Sequence, residues 1–279
     1  MSQSRFERDT AVRRVDEHRY LGTVDPGWAV IDGAAPNGGY LMALAARAMR
    51  ADVAHPDPVT LTAHFLAPPQ PGEVQIDVEV VRAGRRHSTV TAALHQDGRA
   101  CTRLIGAFGD LGQADGLDRM DRRPRALPPR EQCIDATRIS AEQARASGAV
   151  PPPIFQRLEH RMPAGMMDWA VGRPTGRGEI GGYVRWPDLP AVDPLGVLVV
   201  ADCYPPAAFN LGGGAPVGWV PTIELTVQVR KRPAPGWLST WFTTEAVTAG
   251  YLEEDGEVWD ADGELVALSR QLALAPRPA

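Results

Sequence analysis

The sequence predicts an α+β protein built from two copies of one unit, each with a long helix lying against an antiparallel sheet. Three observations predict it: a segment that recurs at a fixed offset, strands with two-residue alternation, and an apolar helical run ahead of each set of strands. Residues 61–72 resemble residues 225–236 at a constant offset of 164, and Asp97-Gly98 matches Asp262-Gly263 at 165. Self-similarity at a fixed spacing is the mark of a duplicated structural unit.

The elements follow in chain order. Residues 37–49 read Asn-Gly-Gly-Tyr-Leu-Met-Ala-Leu-Ala-Ala-Arg-Ala-Met, rich in helix formers, with Asn37 placed to cap the helix. Asn37 and the free N–H groups of Gly38 and Gly39 at such a start are candidates to hold a substrate oxygen or phosphate, although a plain turn into a core helix reads the same way. Residues 73–80 put Val74, Ile76, Val78 and Val80 on one face and polar residues on the other, the pattern of a half-buried strand. Strands over 88–94 and 100–108 flank Asp97-Gly98, a strong hairpin signal. In the second copy, strands over 237–247 and 257–260 lead through Asp262-Gly263 to a last strand over 265–274. The second helix falls in the apolar run 194–206. Three segments result: a first unit over residues 1–115, a linker over 116–150 rich in Asp, Arg, Pro and Gly, and a second unit over 151–279. A short helix is predicted within the linker over 139–146, and the linker charges are expected to be solvated.

Composition excludes several classes. With 44% apolar and 23% charged residues and a mean hydropathy of −0.21, the chain is ordinary for a globular protein. A net charge of −5 and the absence of a basic stripe argue against a nucleic-acid surface. Lys231 is the only lysine, which reads as compositional bias. The N-terminal stretch is largely polar and lacks an apolar signal core, and no run approaches the roughly 18 apolar residues of a membrane span. The three cysteines form no Cys-x-x-Cys pair, and the six histidines show no metal-binding spacing. The expectation is a cytoplasmic protein with no metal site, no cofactor, and neither nucleic acid nor membrane as partner.

One residue breaks the pattern. Asp202 is the single charge in the run Leu195-Gly-Val-Leu-Val-Val-Ala-Asp-Cys203. Removing an ionised carboxyl from water is costly unless it is bonded, paired or neutralised, so Asp202 is either a polar anchor or a chemical group. Aligning Gly39 with Gly196 places Ala45 opposite it, so the acid belongs to the second copy alone. Cys203 beside it reads as a small buried thiol.

A central helix beside an antiparallel sheet, occurring twice, is the pattern of a tandem, or double, hotdog: two long central helices, each wrapped by an antiparallel sheet. The chain resembles the acyl-CoA thioesterase II family of double-hotdog enzymes. The resemblance rests on Asn37-Gly-Gly-Tyr-Leu, His64-Phe-Leu-x-Pro-Pro69, Ala201-Asp-Cys-Tyr-x-Pro206, Pro221-Thr-Ile-Glu-Leu-Thr226 and Val266-Ala-Leu-Ser-Arg-Gln-Leu272. It implies an acyl-CoA substrate and a homodimer or higher oligomer. It also implies that Asp202, Thr222 and Gln271 bind and orient the hydrolytic water. At the repeat offsets Pro58 stands opposite Thr222 and Gly106 opposite Gln271, so all three polar groups are confined to the second copy. The chemistry then assigned is a general base at Asp202, a hydroxyl at Thr222 and an amide at Gln271; backbone amides near the Gly38-Gly39 helix start are candidates for the developing oxyanion, with the copy that supplies them left open.

Each residue keeps a plainer reading. Thr222 is also an ordinary β-branched strand residue, and alternation leaves Gln271 free to face solvent. Arg82, Arg85 and Arg86 are candidates for CoA phosphates or simply a solvated hairpin. Glu224, two residues after Thr222, would share its strand face as a second acid or be a surface charge. The competing functions are a hotdog enoyl-thioester hydratase or dehydratase and a non-catalytic acyl-thioester binder. The hydratase family relies on an Asp/His pair, and no histidine accompanies Asp202 in sequence. No Gly-x-Ser-x-Gly elbow supports a serine hydrolase.

Overall fold

Asn37 ends an extended stretch, and its side chain accepts the amide of Tyr40, which closes the open start of helix α2 (Gly38–Ala51). Ten of this helix's residues are buried, among them Leu41, Met42, Leu44 and Met49. The computed structural model describes residues 3–31, 35–138, 152–189, 191–212 and 218–275. The linker helix predicted over 139–146 lies outside the described residues.

Sixteen strands occur among the described residues. The first unit contributes β1 (Arg13–Asp16), β2 (Arg19–Val24), the small pair β3 (Ala29–Ile31) and β4 (Ala35–Pro36), β5 (Asp57–Phe65), β6 (Gly72–Ala83), β7 (Ser88–Gln96) and β8 (Arg99–Gly109). After it come β9 (Ile134–Asp135), β10 (Glu159–Met162), β11 (Glu179–Arg185), β12 (Thr222–Val229), β13 (Leu238–Thr243), β14 (Val247–Thr248), β15 (Tyr251–Trp259) and β16 (Leu265–Leu274). A short helix α1 (Arg5–Asp9), held by a Ser4/Glu7 capping box, precedes β1.

The sheet does not divide into two. Fourteen strands form one antiparallel sheet, ordered β1-β2-β6-β7-β8-β5-β12-β16-β15-β13-β11-β10-β9 with β14 beside β15. The join is β5 against β12, where Thr62 faces Thr226 and their hydroxyls lie 2.8 Å apart. These two threonines are equivalent in the repeat, so the relation between the copies turns about this pair. Expectation and structure differ here because pairing β5 with β12 leaves neither copy an exposed edge at its centre.

The second correction concerns the helices. The helix of the second copy, α3 (Pro194–Val200), spans only seven residues, all buried. Its start is set by Asp193, which accepts the Gly196 amide, and by Pro194 in the first turn. Val197, Val199 and Val200 are poor helix formers, and Pro205-Pro206 then bars any further turn. Asp202 therefore sits in the turn after the helix, not on it. Matching the two caps, Asn37 and Asp193, sets the helix offset at 156 and brings Ala46, not Ala45, opposite Asp202. Either alanine is fully buried, so the acid stays specific to the second copy.

The two helices pack closely because Gly39 has no side chain: a Cβ there would lie 2.2 Å from the Leu198 carbonyl oxygen. One cluster of buried apolar side chains runs through both units. The linker arginines are not merely solvated. Arg122 pairs with Glu257, and Arg125 pairs with Glu179 while lying 5.3 Å from the Trp241 ring centre.

Candidate active site

A cavity of about 920 Å³ opens between the start of α2, the turn after α3 and the segment around residues 162–173. Leu41, Phe65, Phe155, Met162, Trp169 and Phe209 give it apolar walls. Asp202, Thr222 and Gln271 all line it, although the first and last are 69 positions apart in the chain. Gly38 lines it as well, and Asn37 and Gly39 lie buried behind it.

Asp202 is held from the other copy. Its Oδ2 accepts the Asn37 side-chain amide and the Gly39 backbone amide, each at 2.9 Å, and Asn37 also donates to the Asp202 carbonyl at 2.5 Å. The amide expected to meet a thioester oxygen thus donates to the acid in this structure. The positive end of α2 and these donors favour the carboxylate. Desolvation opposes them and prevails, raising the Asp202 pKa to about 6. Its Oδ1 has no hydrogen-bond partner among the described residues.

Thr222 reaches the site through a bulge. β12 pairs with β16 as Thr222 with Ala273 and Glu224 with Leu272, so Ile223 is an extra residue and the alternation slips by one. Leu225 and Val227 face inward, Glu224 and Thr226 outward, and the slip returns Thr222 to the inner face. Thr222 and Glu224 therefore do not share a face, which corrects the expectation that they would; Glu224 lies on the outer face, where it accepts the Thr226 hydroxyl. The same irregularity occurs between Pro58 and Thr60 in the first copy.

Gln271 is buried on an inner face that also carries Ala267, Ser269 and Ala273, while Leu272 and Leu274 point outward. Its Oε1 accepts the Thr222 hydroxyl at 3.0 Å. Its Nε2 donates to Glu254 at 3.0 Å. Glu254 is the residue that sequence reasoning missed. It is 6% exposed, and burial pushes its pKa up to about 7, with the nearby Asp202 charge adding to the rise. The signal was present as Leu252, Glu254, Gly256 and Val258 on one face of β15, but the predicted strand began only at residue 257.

Other candidates fall away from the site. Arg82, Arg85 and Arg86 belong to the β6–β7 hairpin and its strand end, and none lines the cavity. Cys203 is buried, and desolvation holds its thiol protonated. His160 is fully buried between Phe155 and Tyr204, its pKa depressed to about 4 by desolvation, so it is neutral at pH 7. No group of residues suited to a metal ion occurs among the described residues.

Comparison with known proteins decides the family. The acyl-CoA thioesterase N-terminal domain matches residues 24–109, and the acyl-CoA thioesterase C-terminal domain matches residues 130–275. The chain belongs to the acyl-CoA thioesterase family. A solved candidate thioesterase II from Thermobifida fusca is 33% identical, with 99% of each chain covered and a TM-score of 0.84. A hot dog fold protein of unknown function from Alicyclobacillus acidocaldarius is 21% identical over the whole of both chains, with a TM-score of 0.82, and shares the fold. An uncharacterized protein of Mycobacterium tuberculosis is 28% identical, covering 92% of this chain and 91% of its own. Within this family fold, the helix of the second copy is short and the sheet is continuous.

Proposed function

We propose that this protein hydrolyses acyl-CoA thioesters to a carboxylic acid and free CoA, with Asp202 as the general base. The observation that carries the reading is a desolvated carboxylate in the wall of a large apolar cavity whose lining also includes the hydrogen-bonded pair Thr222 and Gln271. A cavity of about 920 Å³ suits a bulky apolar acyl group, being near the top of the roughly 300–1,000 Å³ range of ligand pockets.

In this mechanism Asp202 takes a proton from water as the oxygen attacks the thioester carbonyl. The tetrahedral intermediate collapses with cleavage of the C–S bond, and the proton returns from Asp202 to the departing thiolate. A base with a pKa of about 6 is ionised at neutral pH yet basic enough to share a proton in the transition state. Thr222 donates its only proton to Gln271, so the oxygens of both residues remain as acceptors. Asp202 takes one hydrogen of a water and an oxygen of the Thr222–Gln271 pair accepts the other, which leaves a lone pair for the carbonyl carbon. The hydratase reading needs a histidine with the acid, and none lines the cavity among the described residues.

The test is release of free thiol from saturated acyl-CoAs of increasing length, run with wild type and Asp202→Asn. Thiol release by wild type, lost in the variant while acyl-CoA binding persists, supports hydrolysis. Tight binding by wild type without thiol release makes the protein a binder.

A further inference from the structure

We propose that Glu254 is a positioning residue of this site: its carboxylate sets the amide plane of Gln271, so that the carbonyl and not the amino group faces Thr222. The inference rests on the hydrolytic reading and deepens it. The two ends of a glutamine amide have nearly the same shape, so packing alone does not choose between them. Something that only donates or only accepts must choose. Glu254 Oε1 accepts Gln271 Nε2 at 3.0 Å, and its Oε2 accepts the Ala207 backbone amide at 2.5 Å. An ionised carboxylate is acceptor-only, so the amino end of Gln271 must turn toward it. The carbonyl then meets Thr222, whose hydroxyl donates to it at 3.0 Å. The direction of every bond in the chain is thereby fixed, from Ala207 through Glu254 and Gln271 to Thr222.

The two halves of the molecule supply the control. Glu254 pairs with Gln271 across β15 and β16, and Val90 pairs with Gly106 across β7 and β8. These are equivalent pairs at offsets of 164 and 165, and Val90 is fully buried. One half therefore holds valine and glycine where the other buries an acid against an amide. A buried acid is costly where valine packs well, and it occurs in the half with Asp202 and Thr222.

Protonation would reverse the chain. A neutral Glu254 carries a donor, and the oxygen beside Gln271 can then present O–H to the amide carbonyl. The amide flips, an N–H faces Thr222, and one acceptor for water is lost. The charges that act on Glu254 are Asp202, from the turn after α3, and Asp255, its neighbour on β15. Arg270 of β16 is turned outward and paired with Asp255.

Glu254→Gln tests this, because the substitution keeps shape and removes the acceptor-only end. With saturated acyl-CoAs, kcat should fall about tenfold to a hundredfold while KM stays within about twofold, as expected for lost orientation without lost binding. Nuclear magnetic resonance of the Gln271 side-chain amide gives a readout independent of activity. In wild type its titration should show two steps, one from Glu254 and one from Asp202; in Glu254→Gln it should keep one. A variant whose kcat stays within about twofold of wild type, or an amide titration that Glu254→Gln leaves unchanged, overturns the proposal. Absence of thiol release from wild type would instead overturn the hydrolytic reading, and the amide titration would still decide whether Glu254 orients Gln271.

Discussion

Asp202 sits where the Asn37 side chain, the start of α2 and a cavity meet, and its behaviour follows from which effect prevails. Asn37 and the start of α2 draw its pKa down, while burial lifts it to about 6. The base form is lost below that value and Glu254 takes up its proton already near pH 7, so kcat/KM for thioester hydrolysis should begin to fall near pH 7 and fall tenfold or more per pH unit below about pH 6. A profile flat down to pH 5 would remove Asp202 as the base. Asp202→Asn keeps the shape but not the base, and should cost about 10² to 10⁴ in kcat with acyl-CoA binding retained. The same acid carries a stability signature. Its folded pKa is raised, so its contribution to stability is fully present below the unfolded value of 3.8 and is lost as pH rises through about 6. Glu254 acts in the same direction up to about pH 7. Urea denaturation should therefore show Asp202→Asn gaining on wild type by a few kcal/mol between pH 4 and pH 8. A constant difference over that range would contradict a desolvated acid.

Two short elements place the site, and they were unequally legible in the sequence. The start of α2 could be read as a capped helix start, but its amides were expected to meet substrate and the Gly39 amide holds Asp202 instead. Asp202 could be read too, as a charge in an apolar run. The position of Thr222 could not, since the bulge at Ile223 depends on how β12 meets β16 rather than on local alternation. Gln271 was ambiguous for a related reason: Leu272 and Leu274 point outward, inverting the usual polarity of a half-buried strand. Glu254 escaped notice because its acidic neighbours Glu253 and Asp255 disguise a strand whose inner face is otherwise apolar. Helix α3 was expected to be longer, but proline two residues beyond Cys203 ends it. The contact between the helices makes its own prediction. A methyl group at Gly39 would press on the Leu198 carbonyl, which belongs to backbone and cannot swing aside. Gly39→Ala should lower stability by about 1–3 kcal/mol, and more if the backbone cannot yield. It should also lower activity, because the Gly39 amide holds Asp202. An unchanged melting temperature would show that the helices separate easily.

At the scale of the whole molecule, the duplication was legible from the offset of 164, and the continuous sheet was not. The join between β5 and β12 is made by backbone groups and the Thr62–Thr226 pair, which read in sequence as ordinary strand residues. The step from 164 to 165 has a local cause. The first hairpin turns on two residues with positive φ, Asp97 and Gly98, whereas the second spans residues 260–264 and has Gly263 alone in that region. Two units joined through one sheet, one core and one helix contact should unfold together. A second bridge lies away from the sheet. Trp186, just after β11, packs on Phe6 of α1 at 4.6 Å and on Trp28 at 5.6 Å. Trp28 in turn stacks on Tyr40 of α2 at 5.2 Å. Urea unfolding followed by tryptophan fluorescence and by far-ultraviolet circular dichroism should give coincident single transitions, the criterion for an all-or-none process. Trp186→Ala removes the bridge and should cost about 3–5 kcal/mol. It should move the midpoint for both probes together, because the sheet still couples the units. Two resolved transitions in wild type would mean that the β5–β12 join does not make the units cooperative; two in the variant alone would place that coupling in the aromatic bridge.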